Sequence, residues 1–327
     1  MEELRIVKKI EWKRMQENRY LILAYYYLKP IHDPYQEVKE HKLFFKDRDL
    51  TSRIYISEQG INGQMSGINH DAHAYIEWMK SRPEFHGIEF KLTPYHEQVF
   101  PRATIKYRKN VVGYSGKVDF STGGEHVDPA RWKEMLDDPE KKILIDVRND
   151  YEWKIGHFEG AELPLCGTFR DFDKYTEELK AKVDPKKTPV MMYCTGGIRC
   201  ELYSSILKER GFENVYQLDG GIINYGMKEG AKHWLGKLFV FDDRMVTPIS
   251  EEEAPAISTC HFCAASTDAY YNCANMDCNA LFLCCPECLK EYVGCCKDEC
   301  KCADRVRPYH DVDAHKPFRR SYNYLPK

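Results

Sequence analysis

The sequence predicts a multi-domain chain: an N-terminal α+β sandwich, a central α/β domain with a parallel sheet, and a C-terminal cysteine-rich module that binds metal. Three observations carry this reading. The expected elements run βαββαβ between residues 19 and 110. Between residues 136 and 235, apolar strands alternate with helices, the pattern of a parallel sheet covered on both faces. Eleven of the 14 cysteines lie between Cys260 and Cys302. A length of 327 residues, about twice that of a usual domain, agrees with this division.

In the first region, Tyr20–Tyr27 reads as an aromatic, apolar strand, and Asp33-Pro34 as the cap and first turn of a helix through Lys46. Ser52–Ser57 and Ile61–Ser66 form two strands of a hairpin around Glu58-Gln59-Gly60. Asn69 or Asp71 caps a helix through Lys80 that stops before Pro83. Strands over Ile88–Thr93 and Ala103–Tyr107 follow. This order is that of a ferredoxin-like or acylphosphatase-like sandwich. Residues 1–18 form an N-terminal extension, and residues 111–135 a Gly-containing linker and the start of a helix.

The central region, residues 136–235, places strands over Ile143–Val147, Pro189–Tyr193 and Val215–Leu218. Its helices cover Phe172–Lys182 and Glu201–Arg210. A connector over residues 236–258 leads to the cysteine-rich module, residues 259–303. A basic tail over residues 304–327 has no clear periodicity and is expected to be partly disordered until it binds a partner.

Composition bounds the function. With 43% hydrophobic and 30% charged residues, global disorder is excluded. The longest apolar run, Tyr20–Leu28, has nine residues and cannot span a bilayer. The charged first residues lack the apolar core of a signal peptide, so a cytoplasmic protein with no membrane partner is expected. A net charge of −3 excludes a uniformly basic nucleic-acid binder. Local charge still matters: Arg102, Lys106, Arg108, Lys109 and Lys117 form an acid-free run.

The most informative segment is Tyr193-Cys194-Thr195-Gly196-Gly197-Ile198-Arg199-Cys200. A strand delivers Cys194 to a tight loop, and a helix begins at once. Two glycines let the loop curl so that backbone N–H groups face the sulfur. With the helix N-terminus and Arg199, these donors favour an accessible thiolate, a nucleophile or persulfide carrier. The competing reading is a structural Cys at a strand end. Cys200 could resolve an oxidised Cys194, but reads better as a small packing residue; Cys166 reads as core or loop filler.

In the C-terminal module, cysteines recur as the pairs Cys260/Cys263, Cys273/Cys278, Cys285/Cys288 and Cys296/Cys300, with Cys284, Cys295 and Cys302 as extras. Two closely spaced pairs complete a tetrahedral site, so the eight suggest two structural zinc ions. A cross-braced arrangement would join alternate pairs. The extra cysteines leave the ligand assignment open, and an iron–sulfur cluster is the lesser alternative.

Asp146-Val147-Arg148, Glu152-Trp153, Gly156-His157, Gly160-Ala161 and Pro164, with the Cys194 loop and Leu218-Asp219-Gly220-Gly221-Ile222, resemble the rhodanese domain. That resemblance implies a five-stranded parallel sheet with Cys194 in the active-site loop. Four residues between Cys194 and Arg199 match the shorter sulfurtransferase loop and disfavour a phosphatase.

Adding the motifs Arg53–Gly63, Lys237–Arg244, Tyr271-Asn272-Cys273 and Gly294-Cys295-Cys296, the whole chain resembles the rhodanese-related tRNA uridine hydroxylases. These bacterial enzymes form 5-hydroxyuridine at the wobble position of tRNA using dioxygen. The resemblance implies Cys194 as the active residue, acting as thiolate or persulfide, and the anticodon region of tRNA as partner. Arg199 would stabilise an anion in the loop, and Arg102, Lys106, Arg108 and Lys109 would follow phosphates. The sequence contains no flavin motif or nicotinamide-binding fingerprint, so the electron donor is unassigned. A rhodanese-type sulfurtransferase without an RNA substrate is the alternative.

Overall fold

Alternating apolar residues and a Pro-initiated helix shape the N-terminal region of the computed structural model, which describes residues 19–111, 122–165, 171–252 and 254–310. The chain divides into two units, residues 1–121 and 122–327. In the first, strands β1 (Tyr20–Tyr27), β2 (Leu50–Ser57), β3 (Gly60–Ile68), β4 (Lys91–Tyr95) and β5 (Ala103–Tyr107) form one sheet in the order β4-β1-β3-β2-β5. The first four give the expected ferredoxin-like order, and β5 extends it parallel to β2.

Helices α1 (Pro34–Phe45) and α2 (Asn69–Lys80) flank these strands. Leu23, Tyr25, Ile54, Ile56, Ile61 and Met65 point to one sheet face and pack with Tyr75, Ile76 and Met79 of α2. Asp33 caps α1 as expected, its carboxylate accepting from the Gln36 N–H at 2.8 Å. Neither Asn69 nor Asp71 caps α2. The N-cap is Ile68, and the Asp71 carboxylate instead accepts from the Asp49 N–H at 2.9 Å, tying α2 to the start of β2. The strand expected at Ile88–Thr93 begins three residues later, because Phe85 and Ile88 are first used to fill the core.

The second unit contains a parallel sheet in the order β6-β10-β9-β7, formed by Glu125–Val127, Val215–Leu218, Val190–Tyr193 and Ile143–Asp146. Every residue of β7 and β9 is buried, as their mostly apolar sequences require. The expected fifth strand is reduced, among the described residues, to a parallel bridge between Ile145 and Glu162. Pro164, two residues further on, has no N–H with which to continue the ladder.

Strand β11 (Trp234–Gly236) pairs antiparallel with β8 (Gly156–Phe158). The two backbones nearly touch: a Cβ on Gly156 would lie 2.1 Å from the Lys237 carbonyl oxygen, and one on Gly236 2.3 Å from that of Ile155. Leu238 and Val240, beyond this crossing, enter the same core as Phe158, Tyr193 and Trp234. Short strands β12 (Leu238–Phe239) and β13 (Val246–Thr247) then lead to a hairpin, β14 (Tyr270–Asn272) and β15 (Leu281–Leu283). Tyr270 packs in a buried cluster with Ile155, Phe239 and Met245.

The first residues of the basic tail, 304–310, pack against the cysteine-rich module. Arg307 donates its backbone N–H to the Ala274 carbonyl at 2.9 Å and its guanidinium to Asn279 at 2.7 Å. Arg305 pairs with Asp277 at 2.8 Å. Residues 311–327, like 1–18, Lys117 and Cys166, lie outside the described residues.

Candidate active site and metal centres

Strand β9 ends at Tyr193, and Cys194 begins the turn into the helix Ile198–Glu209. This helix has no side-chain cap, so its first N–H groups remain available to the loop. The Gly197 N–H points at the Cys194 sulfur at 3.1 Å. Burial alone would raise the Cys194 thiol. A hydrogen bond from Cys200, the Arg199 charge, and the backbone N–H groups of Arg199 and Gly197 outweigh it and bring the thiol down to about 5. Burial and the neighbouring Cys194 drive the Cys200 thiol the other way, so it stays protonated and donates.

Two findings modify the expectations for this loop. Cys194 is not accessible: its exposure is 1%, because the strand end and helix start enclose it. Cys200, fully buried, is more than packing filler, since its thiol faces the Cys194 sulfur.

Arg199 acts on Cys194 through its charge and backbone N–H, while its guanidinium grips another residue. It makes a two-point ion pair with the Glu152 carboxylate, one contact at 2.7 Å, and reaches Thr195 Oγ1 at 3.2 Å. Glu152 is fully buried. Burial raises its carboxyl, but Arg199, Arg148 and the Asn149 N–H lower it below the usual carboxylate range. Glu152 also accepts from Thr195 Oγ1 at 3.2 Å, so one carboxylate fixes both the arginine and the loop. The sequence pattern includes Glu152 without revealing this role. Its capping position after Asn149 was the available signal, because a cap places a carboxylate at a fixed point.

The opposite side of the loop is held by Gly220-Gly221. The N–H groups of Ile222 and Ile223 donate to the carbonyls of Cys194 and Thr195 at 3.0 and 3.1 Å. Gly221 has φ +68, and a Cβ there would lie 2.5 Å from the Cys194 carbonyl oxygen, so no larger residue fits without moving the loop. With its carbonyls held outward, the loop turns N–H groups toward the sulfur. This is a built anion cradle.

One consequence can be titrated. A hydrogen bond to a charged group contributes about 1.5–3 kcal/mol, so Cys200→Ala is expected to raise the Cys194 midpoint by roughly one to two pH units. Thiolate absorbance, read as a difference from a Cys194→Ser background, checks this. An unmoved midpoint would place the stabilisation in the amides and Arg199 alone.

In the C-terminal module, the cysteines gather into two groups, Cys260/Cys263/Cys285/Cys288 and Cys273/Cys278/Cys296/Cys300. Alternate pairs are thus joined. Within each group all sulfurs lie within 4.8 Å of one another, and Cys263–Cys285 and Cys278–Cys296 are 3.7 Å apart. A tetrahedral ion with bonds near 2.3 Å requires sulfurs about 3.8 Å apart, so the donor sets fit a metal such as zinc. Backbone N–H groups of Cys288 and Cys296 point at the sulfurs of Cys285 and Cys273, as metal-bound thiolates require. Cys284 and Cys295 are buried in the apolar core of the module, whereas Cys302 is exposed.

Strand, cradle and following helix define a rhodanese-type thiolate domain, and comparison with known families agrees. A rhodanese-like domain model matches residues 128–228, a UPF0176 acylphosphatase-like model residues 20–111, and a rhodanase C-terminal model residues 235–301. The chain belongs to the tRNA uridine(34) hydroxylase family. It is 59% identical over 310 residues to the protein of that name from Protochlamydia amoebophila, covering 95% of this chain and 97% of the relative. The Chlamydia pneumoniae protein of the same name is 52% identical, covering 94% of this chain and 95% of the relative. Among solved structures, the rhodanese-like domain of an Anabaena protein aligns at 20% identity over 34% of this chain and 78% of its own, with a TM-score of 0.29.

Proposed function

We propose that this protein hydroxylates C5 of the wobble uridine of tRNA in the cytoplasm, with dioxygen as the oxygen source. The observation that supports the chemistry is the Cys194 thiolate in its amide cradle. The identity and coverage of the named relatives support the substrate.

C5 of uracil reacts poorly with oxygen until electron density is pushed onto it. Addition of the Cys194 thiolate at C6 forms a C–S bond and an enolate across C5 and O4. Oxygen then bonds at C5. Two electrons and two protons from an external reductant, together with a third proton returned in the last step, cleave the O–O bond into the C5 hydroxyl and one water. Loss of the C5 proton and expulsion of the thiolate restore the ring. Arg199 and the loop N–H groups hold the sulfur anionic before addition and after release. Because Cys194 is covered, the uridine reaches it only as an extruded base and with a local opening around the loop.

Arg102, Lys106, Arg108 and Lys109, all exposed, are proposed phosphate contacts. The two cysteine groups are proposed to hold structural zinc, closed by four thiolates with no open position. Nucleoside mass spectrometry of tRNA tests the function. Cells lacking the gene are expected to lose 5-hydroxyuridine and regain it with the wild-type gene under oxygen. Unchanged 5-hydroxyuridine in the deletion would refute the proposal.

A further inference from the structure

The helices of the first unit pack on one face of its sheet, and the register defines the other. Tyr26, Asn62, Tyr55 and Lys106 stand opposite one another in a single row across β1, β3, β2 and β5. The next row is Lys91, Ala24, Gln64, Arg53 and Thr104. No acidic residue occurs in either row. The residues that pack with the helices, such as Leu23, Tyr25, Ile54, Ile56 and Met65, all have the opposite parity.

This face is dressed for ligand contact rather than for burial. Arg53 and Lys106 are exposed, while Tyr26, Tyr55, Asn62 and Gln64 are half-buried. The Arg108 guanidinium lies 5.0 Å from the Tyr55 ring centroid, and the Lys91 ammonium 5.2 Å from that of Tyr26. At the far end, Ile22 is covered by Val99 and Phe100, so the polar rows form one bounded platform. Flat aromatic rings flanked by cations and amides, without acids, match the chemistry of unpaired nucleotides. Rings stack on bases, cations meet phosphates, and amides reach exposed base edges.

We propose that this sheet face binds single-stranded RNA, namely the anticodon loop of the substrate, with Tyr26 and Tyr55 as stacking rings. The proposal rests on the tRNA reading above and adds the surface that grips the loop. Paired RNA would be a poor occupant, because its bases are already stacked.

The test uses the full chain and three probes: tRNA, an isolated anticodon stem-loop, and a fully paired RNA of equal length. Tyr26→Ala/Tyr55→Ala is expected to weaken stem-loop binding about 30-fold or more, with a normal melting temperature and an unchanged salt slope. Tyr26→Phe/Tyr55→Phe is expected to retain binding. Arg53→Gln/Lys106→Gln is expected to reduce the salt slope by about 0.7 for each phosphate no longer neutralised, which keeps the proposal testable should the tyrosine variant fold poorly. Wild-type affinity in the alanine double variant, or an equal loss on paired RNA, would overturn the platform. Either result would leave the hydroxylase reading intact if the wild type still forms 5-hydroxyuridine. Absence of that product from the wild type would fail the underlying reading instead.

Discussion

Cys194→Ser is expected to reduce formation of 5-hydroxyuridine by on the order of 10⁴-fold or more, while tRNA affinity stays within about twofold. Serine preserves the shape of the loop but supplies a hydroxyl that stays protonated at neutral pH. The cradle would then surround a neutral oxygen instead of an anion. Quantifying the product from purified enzyme and tRNA, alongside a binding titration, checks both halves. Normal hydroxylation by this variant would reduce the loop to a binding surface. Cyanide distinguishes the two forms of the cysteine, since it strips sulfur from a persulfide and leaves a plain thiolate competent for addition at C6.

The same anion has a pH signature. With the thiol held at about 5, activity that depends on the thiolate is expected to persist down to near pH 5 and to fall below it. The folded-state thiol is depressed, so its contribution to stability is fully present above the ordinary thiol range, about 8.5. That contribution is lost as pH falls through about 5. The difference in unfolding free energy between wild type and Cys194→Ser, followed from pH 5 to 9, should grow with pH.

Metal removal is the second large effect. Structural zinc in small cysteine sites contributes on the order of 10 kcal/mol to folding, and the module is too small to hold its core without it. Chelation is therefore expected to unfold residues 260–302, seen as loss of amide protection there and release of two metal equivalents. The sheet core around Leu144, Met191, Tyr193 and Leu218 contains no residue from the module and should stay folded. The cluster of Ile155, Phe239, Met245 and Tyr270 is shared, so protection is also expected to drop at Ile155 and Phe239. Anaerobically purified protein that contains no metal and resists chelators would refute this.

Strands such as Tyr20–Tyr27 and Ala103–Tyr107, and the helix Phe172–Lys182, were legible because periodicity and capping are local properties. The thiol loop was legible for the same reason, since strand, glycines and helix start are contiguous. What escaped depends on distant segments meeting. Glu152 lies 47 residues from the Arg199 it holds, and the Gly221 backbone presses on a loop more than 20 residues earlier. The burial of Cys194 is likewise a property of the assembled domain. Asp71 shows local reasoning failing outright, because a carboxylate suited to capping its own helix found a donor at Asp49 instead.

The crossing of Gly156 and Gly236 bears on how this protein can have evolved. Where two backbones pass with no room for a methyl group, the chain offers no seam for recombination. A fusion that exchanged everything from residue 236 onward would have to reproduce that glycine and supply replacements for Leu238 and Val240 in the neighbouring core. The thiolate domain and the segment that carries Leu238 and Val240 are therefore constrained to change together, one side of the crossing limiting the other.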